Sequence, residues 1–541
     1  MKLVTAEEMR RIEATAEAEG TPIPTLMQRA GGALAEAILS DYSLGRGPIL
    51  ILVGPGNNGG DGLVAATRLR EAGADVSAYI WRHKSDDPVY VAAAAAGVPL
   101  VRAEEDEGGA RLAEMTQGAA IIVDALLGTG VTRPITGELA DILARVRENR
   151  DRSASIVAVD LPSGVNSDSG AADSATLAAD LTITFGFPKR GLYQYPGAGL
   201  AGHRETADIG LNNVTAQEVR VELMQAEWVR DRLPARPADA HKGTFGKALI
   251  IAGSANYTGA AYLAGSGAIR VGVGLATLGV AQMLYPILAA RLVETTWLLL
   301  PHDMGALRAD AAKVVLEKLE GYKAVLVGPG LGQEPATEEF VHRLLIGKQA
   351  EAQRARRIGF ATEPTPEEET PEAPKLPPTV IDADALNALA KVENWSASLT
   401  AASAILTPHP GEMGRLLGST TEEVQADRVA TAKGAAEKFG QVVVLKGANT
   451  VIAAPDGQIA VSPFANPALA TAGSGDVLAG AIVGFLAQGL SPFDAAACGV
   501  YVHGLAGERA RLELGEAGVI ASDLLLELPL AIQALRLEGE M

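Results

Sequence analysis

The residues best suited to chemistry sit in the stretch NPALATAGSGDVLAGAIVGFLAQGL, 466–490, and within it at Gly473, Ser474, Gly475 and Asp476. Three small residues let a backbone approach a ligand closely. The uncharged run from Val477 to Leu486 reads as a buried helix. Its N-terminus aims free N–H groups and a positive dipole end at whatever lies over the glycines. That is an anion hole with one carboxylate, Asp476, at its lip. Phosphoryl transfer to a hydroxyl needs these two parts, donors for phosphate oxygens and a base for the attacking O–H. The plainer alternative is a glycine-rich turn with Asp476 as an ordinary N-cap.

A second constellation lies in the first half. GPILILVGPGNNGGDGLVAATRLREAGADVSAYI, 47–80, reads strand, glycine loop, helix, strand, a βαβ unit with ligand binding expected at the strand end. The loop runs Gly54-Pro55-Gly56-Asn57-Asn58-Gly59-Gly60-Asp61-Gly62 and matches neither GxGxxG nor a Walker sequence. A tight loop with Asx turns is the plainer alternative. Later strands end in Asp124, followed by Gly128-Thr129-Gly130; in Asp160-Leu161-Pro162-Ser163; and in a polar loop with Lys189 and Arg190. Loops after strands of one parallel sheet converge on one rim, where such folds bind ligands. Asn58, Asp124 and Ser163 are hard oxygen donors that suit an alkali or alkaline-earth cation.

The elements that position these residues follow in order. Thr5 to Glu8 forms a capping box opening a first helix, and a second helix spans roughly 25–40. Residues 211–240 read as a junction rich in proline and charge. The second half again alternates strand and helix: KALIIAGS, 247–254; a small-residue helix near 258–271; KAVLVGPGLG, 323–332; TVIDADALNAL, 379–389; AILTPHPGEMGRLLG, 404–418; and QVVVLKGANTVIAAPDGQIAV, 441–461. This is a second α/β layered domain. Residues 349–378, dense in Pro and Glu without apolar period, read as a disordered or loosely packed surface insertion.

Length and composition bound the function. A chain of 541 residues implies more than one domain. A hydrophobic share of 48% with 21% charged residues is that of a globular protein. The net charge of −19 argues against a nucleic-acid partner, while helix ends and backbone amides still permit an anionic nucleotide. The single cysteine, Cys498, excludes an internal disulfide and a cysteine metal cluster, and its apolar surroundings place it in the core. The first twenty residues are charged throughout, without the apolar centre of a signal peptide, and no apolar run is long enough to span a membrane. The cytoplasm is the expected compartment.

These motifs together resemble a known set. HKGTFGKALIIAGS, TGAAYLAGSGAIRVGVGLAT, GPGLG, IDADALNAL, TPHPGEM, LKGANT and ATAGSGDVLAG resemble the NAD(P)H-hydrate dehydratases of the ribokinase-like superfamily. GPGNNGGDGLVAATRL, DALLGTGVTRPITG, DLPSGV and FGFPKRGLYQYPGAG resemble the NAD(P)H-hydrate epimerases. The order is that of the bifunctional NAD(P)H-hydrate repair enzymes, and the resemblance covers nearly the whole chain apart from 349–378. It implies an α/β fold: a Rossmann-like three-layer epimerase domain at 1–213, a linker at 214–240 and a ribokinase-like dehydratase domain at 241–541.

The implied chemistry repairs NADH and NADPH hydrated at the nicotinamide ring. The first domain would interconvert R and S hydrates. The second would dehydrate the S form with ADP or ATP and Mg²⁺, turning hydroxide, a poor leaving group, into phosphate. By the resemblance, Asn57, Asn58, Gly59, Gly60 and Asp61, with Gly128, Thr129, Gly130, Val131, Thr132, Arg133 and Pro134, hold the hydrated dinucleotide. Asn58, Asp124 and Ser163 hold K⁺. Asp160 touches the nicotinamide end and is the acid/base candidate. Lys189 is its candidate partner, against the alternative of a solvated surface lysine. In the dehydratase, Ala261, Gly332, His409 and Asp476 line the hydrate pocket. Lys446, Gly447, Ala448, Asn449 and Thr450 contact the nucleotide, with Gly475 at its phosphates. Without its context, His409 reads as a turn histidine and Lys446 as a surface charge. A homo-oligomer with small-molecule substrates, no nucleic acid and no membrane is expected.

Two alternatives remain at this level. GSGD also serves small-molecule kinases, which release a phosphorylated product, and the first half could be a dinucleotide-binding module without catalysis. The inserted segment yields the first prediction. Deleting about residues 351–375 leaves both activities near wild type, because such sequence buries little and long loops cost little more entropy to close than short ones. Assays of R/S equilibration and of dihydronicotinamide recovery check this; a collapse of either shows that the segment packs on the domain.

Overall fold

The run Ile49-Leu50-Ile51-Leu52-Val53 is apolar at every position, as a parallel strand covered on both faces must be. The computed structural model, which describes residues 1–41, 47–130, 133–211, 214–347 and 374–537, buries all five. Val131, Thr132 and residues 349–373 of the expected insertion lie outside the described residues. The chain divides into two compact units, Met1–Glu222 and Leu223–Met541.

The first unit is one sheet of β1 (Ile49–Val53), β2 (Val76–Ile80), β3 (Leu100–Arg102), β4 (Ile121–Ala125), β5 (Ser155–Val159), β6 (Leu181–Phe185) and β7 (His203–Ala207). The strands lie in the order β3-β2-β1-β4-β5-β6-β7, every pair parallel. Alternate residues feed two cores. Ile49, Ile51 and Val53 meet Leu26 and Leu34 of α2 (Ile23–Asp41) and Leu63 and Leu69 of α3 (Asn57–Glu71). Leu50 and Leu52 meet Leu139, Leu143 and Val146 on the opposite face. The result is the Rossmann-like three-layer arrangement. Its strand order reverses between β1 and β4, which opens a crevice at the carboxyl ends of those strands. The capping box forms as expected at the start of α1 (Ala6–Ala18): Glu8 N donates to Thr5 Oγ1 at 3.1 Å and Thr5 N to Glu8 Oε2 at 2.8 Å.

One reading is corrected. The stretch expected as a loop from Gly54 to Gly62 becomes helix at Asn57. Its glycines serve close packing instead of loop freedom. A Cβ on Gly54 would lie 1.8 Å from the Leu126 carbonyl oxygen, one on Gly59 2.0 Å from that of Gly54, and one on Gly62 2.7 Å from the Ala125 methyl. On the neighbouring helix, Gly31 would meet Val64 at 2.5 Å. The glycines weaken α3 intrinsically, and contact with sheet and α2 restores it. The N-cap, Gly56, has no side chain to occupy the first N–H groups.

The second unit's main sheet takes β8 (Val221–Leu223), β9 (Lys247–Ile251), β10 (Leu275–Ala281), β11 (Thr296–Leu300), β14 (Ala324–Val327), β15 (Thr379–Ile381), β16 (Ala404–Leu406), β17 (Val442–Leu445), β18 (Val451–Ala453) and β19 (Ile459–Val461). The hairpin of β12 (His302–Asp303) and β13 (Ala306–Leu307) stands apart. The order is β11-β10-β9-β14-β15-β16-β17-β18-β19-β8, parallel from β11 to β17 and antiparallel from β17 to β19. Helix Ser474–Ala487 is buried from Val477 onward, as its lack of charge requires. It packs on helix Thr258–Arg270 through reciprocal glycines. A Cβ on Gly480 would meet the Ala264 carbonyl oxygen at 2.2 Å, and one on Gly267 that of Val477 at 2.7 Å. Cys498 is buried and unpaired. Among the described residues no helix is long and apolar enough to cross a membrane.

Gly54 and Gly56 give a paired test. A Cβ on Gly56 meets nothing within 4 Å, and that residue's φ is an ordinary −101°. Gly54→Ala is expected to cost about 1–3 kcal/mol or more by overpacking against backbone, and Gly56→Ala less than about 0.5 kcal/mol. Urea unfolding of the two variants checks this, and equal midpoints would contradict the packing role.

Candidate active sites

In the first unit, a cavity of about 720 Å³ at the strand ends is lined by Asn57, Asn58, Asp61, Gly128, Thr129, Gly130, Arg133, Pro134, Asp160 and Lys189 among others. The topology brings them together: α3 starts after β1, Gly128, Thr129 and Gly130 follow β4, Asp160 follows β5 and Lys189 follows β6. Gly59 and Gly60 are buried in the first turn of α3.

Asp160 holds a left-handed backbone, φ 65°, which is uncommon for a residue with a side chain. Its Oδ1 accepts from Thr184 Oγ1 at 3.0 Å, from Phe185 N at 3.3 Å and from Lys189 Nζ. Lys189 is 1% exposed, so the alternative of a solvated surface lysine is overturned. Its ammonium also donates to the Phe185 carbonyl at 3.2 Å. Two further carboxyls face this pair. Burial pushes Asp61 well above the usual carboxylate range, with Asp160 adding to the shift, and burial also raises Glu13 on α1.

Asp124 closes β4 fully buried. It accepts from Ser163 Oγ at 2.6 Å and Ser163 N at 2.8 Å. Burial still raises its pKa, and the bonds from Ser163 only partly oppose that. Asn58 donates through Nδ2 to the Leu127 carbonyl at 3.0 Å, and Leu127 N donates to Ser163 Oγ at 2.8 Å. A buried carboxylate flanked by a hydroxyl and an amide is a hard-oxygen set that fits an alkali cation.

In the second unit, the helix bearing Asp476 begins at Ser474, with Gly473 as N-cap at φ 89°. Asp476 stands in the first turn, so the alternative that it is the N-cap is overturned. Burial and the nearby Asp382 push Asp476 up to about 7, against the opposing charge of Lys446. His503 Nε2 binds the Ser474 carbonyl at 3.0 Å and fixes this turn. Burial holds His503 down to about 4, so it stays neutral.

Lys446 is no surface charge. Its Nζ lies 2.7 Å from Asp382 Oδ1 and 3.8 Å from Glu412 Oε2. Burial lowers its pKa, but these carboxylates more than offset that. A Cβ on Gly475 would lie 3.7 Å from this ammonium, so the loop after β17 and the helix start meet. Gly447 and Ala448 are exposed at that loop's tip; Asn449 and Thr450 are buried, with Asn449 Nδ2 on the Ser462 carbonyl at 3.0 Å and Thr450 Oγ1 on the Gly447 carbonyl at 2.8 Å. His409 is half-exposed and caps helix Pro410–Leu417, its Nδ1 accepting from Gly411 N at 3.1 Å. Partial burial and the charges of Lys446 and Arg415 lower its pKa. Gly332, at φ 86°, donates to Asp384 Oδ2 at 2.9 Å. Ala261 is fully buried, its methyl close beneath Gly253.

Asp382, Glu412 and Arg428 join the site only in the fold. Asp382 ends β15 and also accepts from Thr407 Oγ1 at 2.7 Å. Glu412 completes a capping box with His409, a signal present in His409-Pro410-Gly411-Glu412. Arg428, 4% exposed, braces the Lys446 loop by donating to the Leu445 and Lys446 carbonyls at 2.9 and 3.2 Å. No local pattern reveals that bond across eighteen residues.

The Asp160–Lys189 pair gives a stability test. Lys189→Met strands a buried carboxylate and is expected to cost about 3–5 kcal/mol, whereas pairing it with Asp160→Asn recovers most of the loss. Urea unfolding of the single and double variants checks this; additive losses would mean that the pair is not coupled.

Comparison with known proteins gives two family matches, the YjeF-related protein N-terminus over residues 24–191 and NAD(P)H-hydrate dehydratase over 248–351 and 367–530. The chain is 38% identical to the bifunctional NAD(P)H-hydrate repair enzyme Nnr of Moorella thermoacetica, covering all of this chain and 98% of that protein. It is 36% identical to that of Thermofilum pendens, over 100% and 98%, and 33% identical to that of Escherichia coli, over 96% and 92%. Among solved structures, the ADP/ATP-dependent NAD(P)H-hydrate dehydratase of Bacillus subtilis, co-crystallized with ATP/Mg²⁺, is 33% identical over 58% of this chain and 99% of its own, with a TM-score of 0.47. Two matched halves in one order, joined by full-length identity to several relatives, place the chain in the family of bifunctional NAD(P)H-hydrate repair enzymes, isomerase and lyase in a single polypeptide.

Proposed function

We propose that residues 1–213 interconvert the R and S hydrates of NADH and NADPH at Asp160, and that residues 241–541 dehydrate the S form at Asp476 with ADP or ATP. The observation that carries this reading is the setting of Asp476. A carboxyl whose pKa lies near 7 is matched to general-base work at neutral pH. It stands in the first turn of a helix whose N-cap glycine supplies no side chain to cap that turn, an end suited to an anion.

The hydrate's hydroxyl oxygen attacks the terminal phosphoryl group of the nucleotide and gives its proton to Asp476. A C–O–P bond forms as the bond to the leaving nucleotide breaks. The ring nitrogen's electron pair then expels phosphate, and loss of the neighbouring ring proton restores the dihydronicotinamide. Lys446 stands beside Gly475 to neutralise charge on the phosphates. The carboxylates of Asp382, Glu412, Asp384 and Asp476 outnumber the one lysine among them, an acidic setting that suits a nucleotide arriving with Mg²⁺.

In the first half, Asp160 serves as the acid/base group at the hydroxyl of the hydrated ring carbon, with Lys189 holding its orientation. Asn58, Asp124 and Ser163 would hold K⁺, which supplies a fixed positive charge beside the bound dinucleotide. The opening of α3, with Gly128, Thr129, Gly130, Arg133 and Pro134, cradles its phosphates.

The test incubates mixed R and S hydrates with ADP or ATP and follows R/S equilibration, dihydronicotinamide recovery and released phosphate separately. Asp476→Asn is expected to cut dehydration by at least roughly 10²-fold and to leave epimerisation intact. Because the carboxylate is the active form, wild-type dehydration rises with pH through about 7 and then levels. A stable phosphate ester in place of free phosphate would instead mark a small-molecule kinase. Replacing K⁺ by a non-coordinating organic cation, or Asp124→Ala, weakens hydrate use by the first half alone; indifference to both would remove the cation assignment.

A further inference from the structure

The cavity of the first unit extends beyond the residues used above. It reaches across β1 to the end of β2, where Trp81 and Arg82 line it together with Asp160 and Lys189 on the other side. In dinucleotide-binding sheets of this strand order, the pyrophosphate lies over the first helix end and the second strand ends beside the adenosine ribose. An acidic residue there accepts from the ribose 2′-hydroxyl, whereas an arginine takes a 2′-phosphate. Here the end of β2 carries no acid. It carries Arg82, in a left-handed backbone at φ 56°.

The acid arrives from another element. Glu138, the first residue of helix Glu138–Asn149, places Oε2 2.9 Å from Trp81 Nε1, 3.2 Å from Arg82 Nε and 3.1 Å from Arg82 Nη2. Trp81 is 9% exposed, so its indole fixes the carboxylate from the protein side. The Arg82 and Glu138 side chains stay 65% and 42% exposed, open to a ligand. The guanidinium carbon lies 5.3 Å from the Trp81 ring centre, which holds the arginine over the indole.

We propose that Arg82 and Glu138 form the adenosine-ribose subsite of the epimerase half. Arg82 takes the 2′-phosphate of hydrated NADPH, and Glu138 accepts from the 2′-hydroxyl of hydrated NADH. The nicotinamide end then points across β1 and β4 toward Asp160. One subsite thus serves both substrates, because the phosphate that repels Glu138 also displaces it from Arg82. This rests on the reading that the first half binds hydrated dinucleotides.

The test measures kcat/KM for R/S equilibration of each hydrate at low salt, in wild type and in Arg82→Ala, Arg82→Lys and Arg82→Glu. Arg82→Ala is expected to lower the ratio of NADPH-hydrate to NADH-hydrate efficiency by roughly tenfold, the size of one lost charge-assisted contact. Arg82→Glu lowers it further and Arg82→Lys restores most of it. Calorimetric titration with ADP-ribose and its 2′-phosphate, probes without a nicotinamide, gives the same ratio without turnover. A ratio unmoved in both measurements, or equal losses for both hydrates, overturns the subsite while epimerisation by the wild type still stands. Absence of epimerisation in the wild type overturns the underlying reading instead, and the titration then decides whether the subsite survives as a binding site.

Discussion

A carboxylate taken out of water at the end of a parallel strand needs a cation or several donors, and both halves of this chain are arranged around that demand. In the first, Asp124 receives the hydroxyl and amide of Ser163, while Asp160 receives Lys189, Thr184 and the Phe185 amide. In the second, Asp382 receives Lys446 and Thr407. The partners come from the loops of neighbouring strands, so satisfying the carboxylates also fixes where those loops stand. A rim that solves its own desolvation problem becomes a rigid site.

The second common element is a helix end brought close. α3 and helix Ser474–Ala487 both begin behind a glycine N-cap without a side-chain cap. Both approach their neighbours through glycines that leave no room for a Cβ. Glycines inside each helix let it pack closely, and the glycine N-cap leaves its first turn without a side-chain cap. A serine or aspartate cap would give a more stable isolated helix and would fill the anion hole.

Much of this was readable beforehand, because it rests on local pattern. Uninterrupted apolar runs gave the parallel strands, and polar residues just after them gave the rim. What misled was glycine. Composition cannot tell a glycine that frees a turn from one that admits a neighbour, so pattern alone predicts a loop where α3 begins and leaves a cap open as a role for Asp476. Burial of charge was equally hidden. Lys189 resembles any lysine in a polar loop until β5 and β6 pair and set Asp160 beside it. Arg428, Asp382 and His503 act through contacts distant in sequence, and only the fold exposes them.

The two candidate acid/base groups differ in their neighbours. Asp160 shares its oxygen with a lysine ammonium that is itself buried, an arrangement that holds a proton donor and an anion in contact. Asp476 is set among carboxylates, and the lysine nearby is committed first to Asp382. Its charge is therefore poorly compensated, and it is protonated more readily than an ordinary aspartate. A base of that kind accepts a proton strongly for a carboxylate, which suits a hydroxyl about to become a nucleophile. The side chain is the same in both, and only its desolvation and its cation differ.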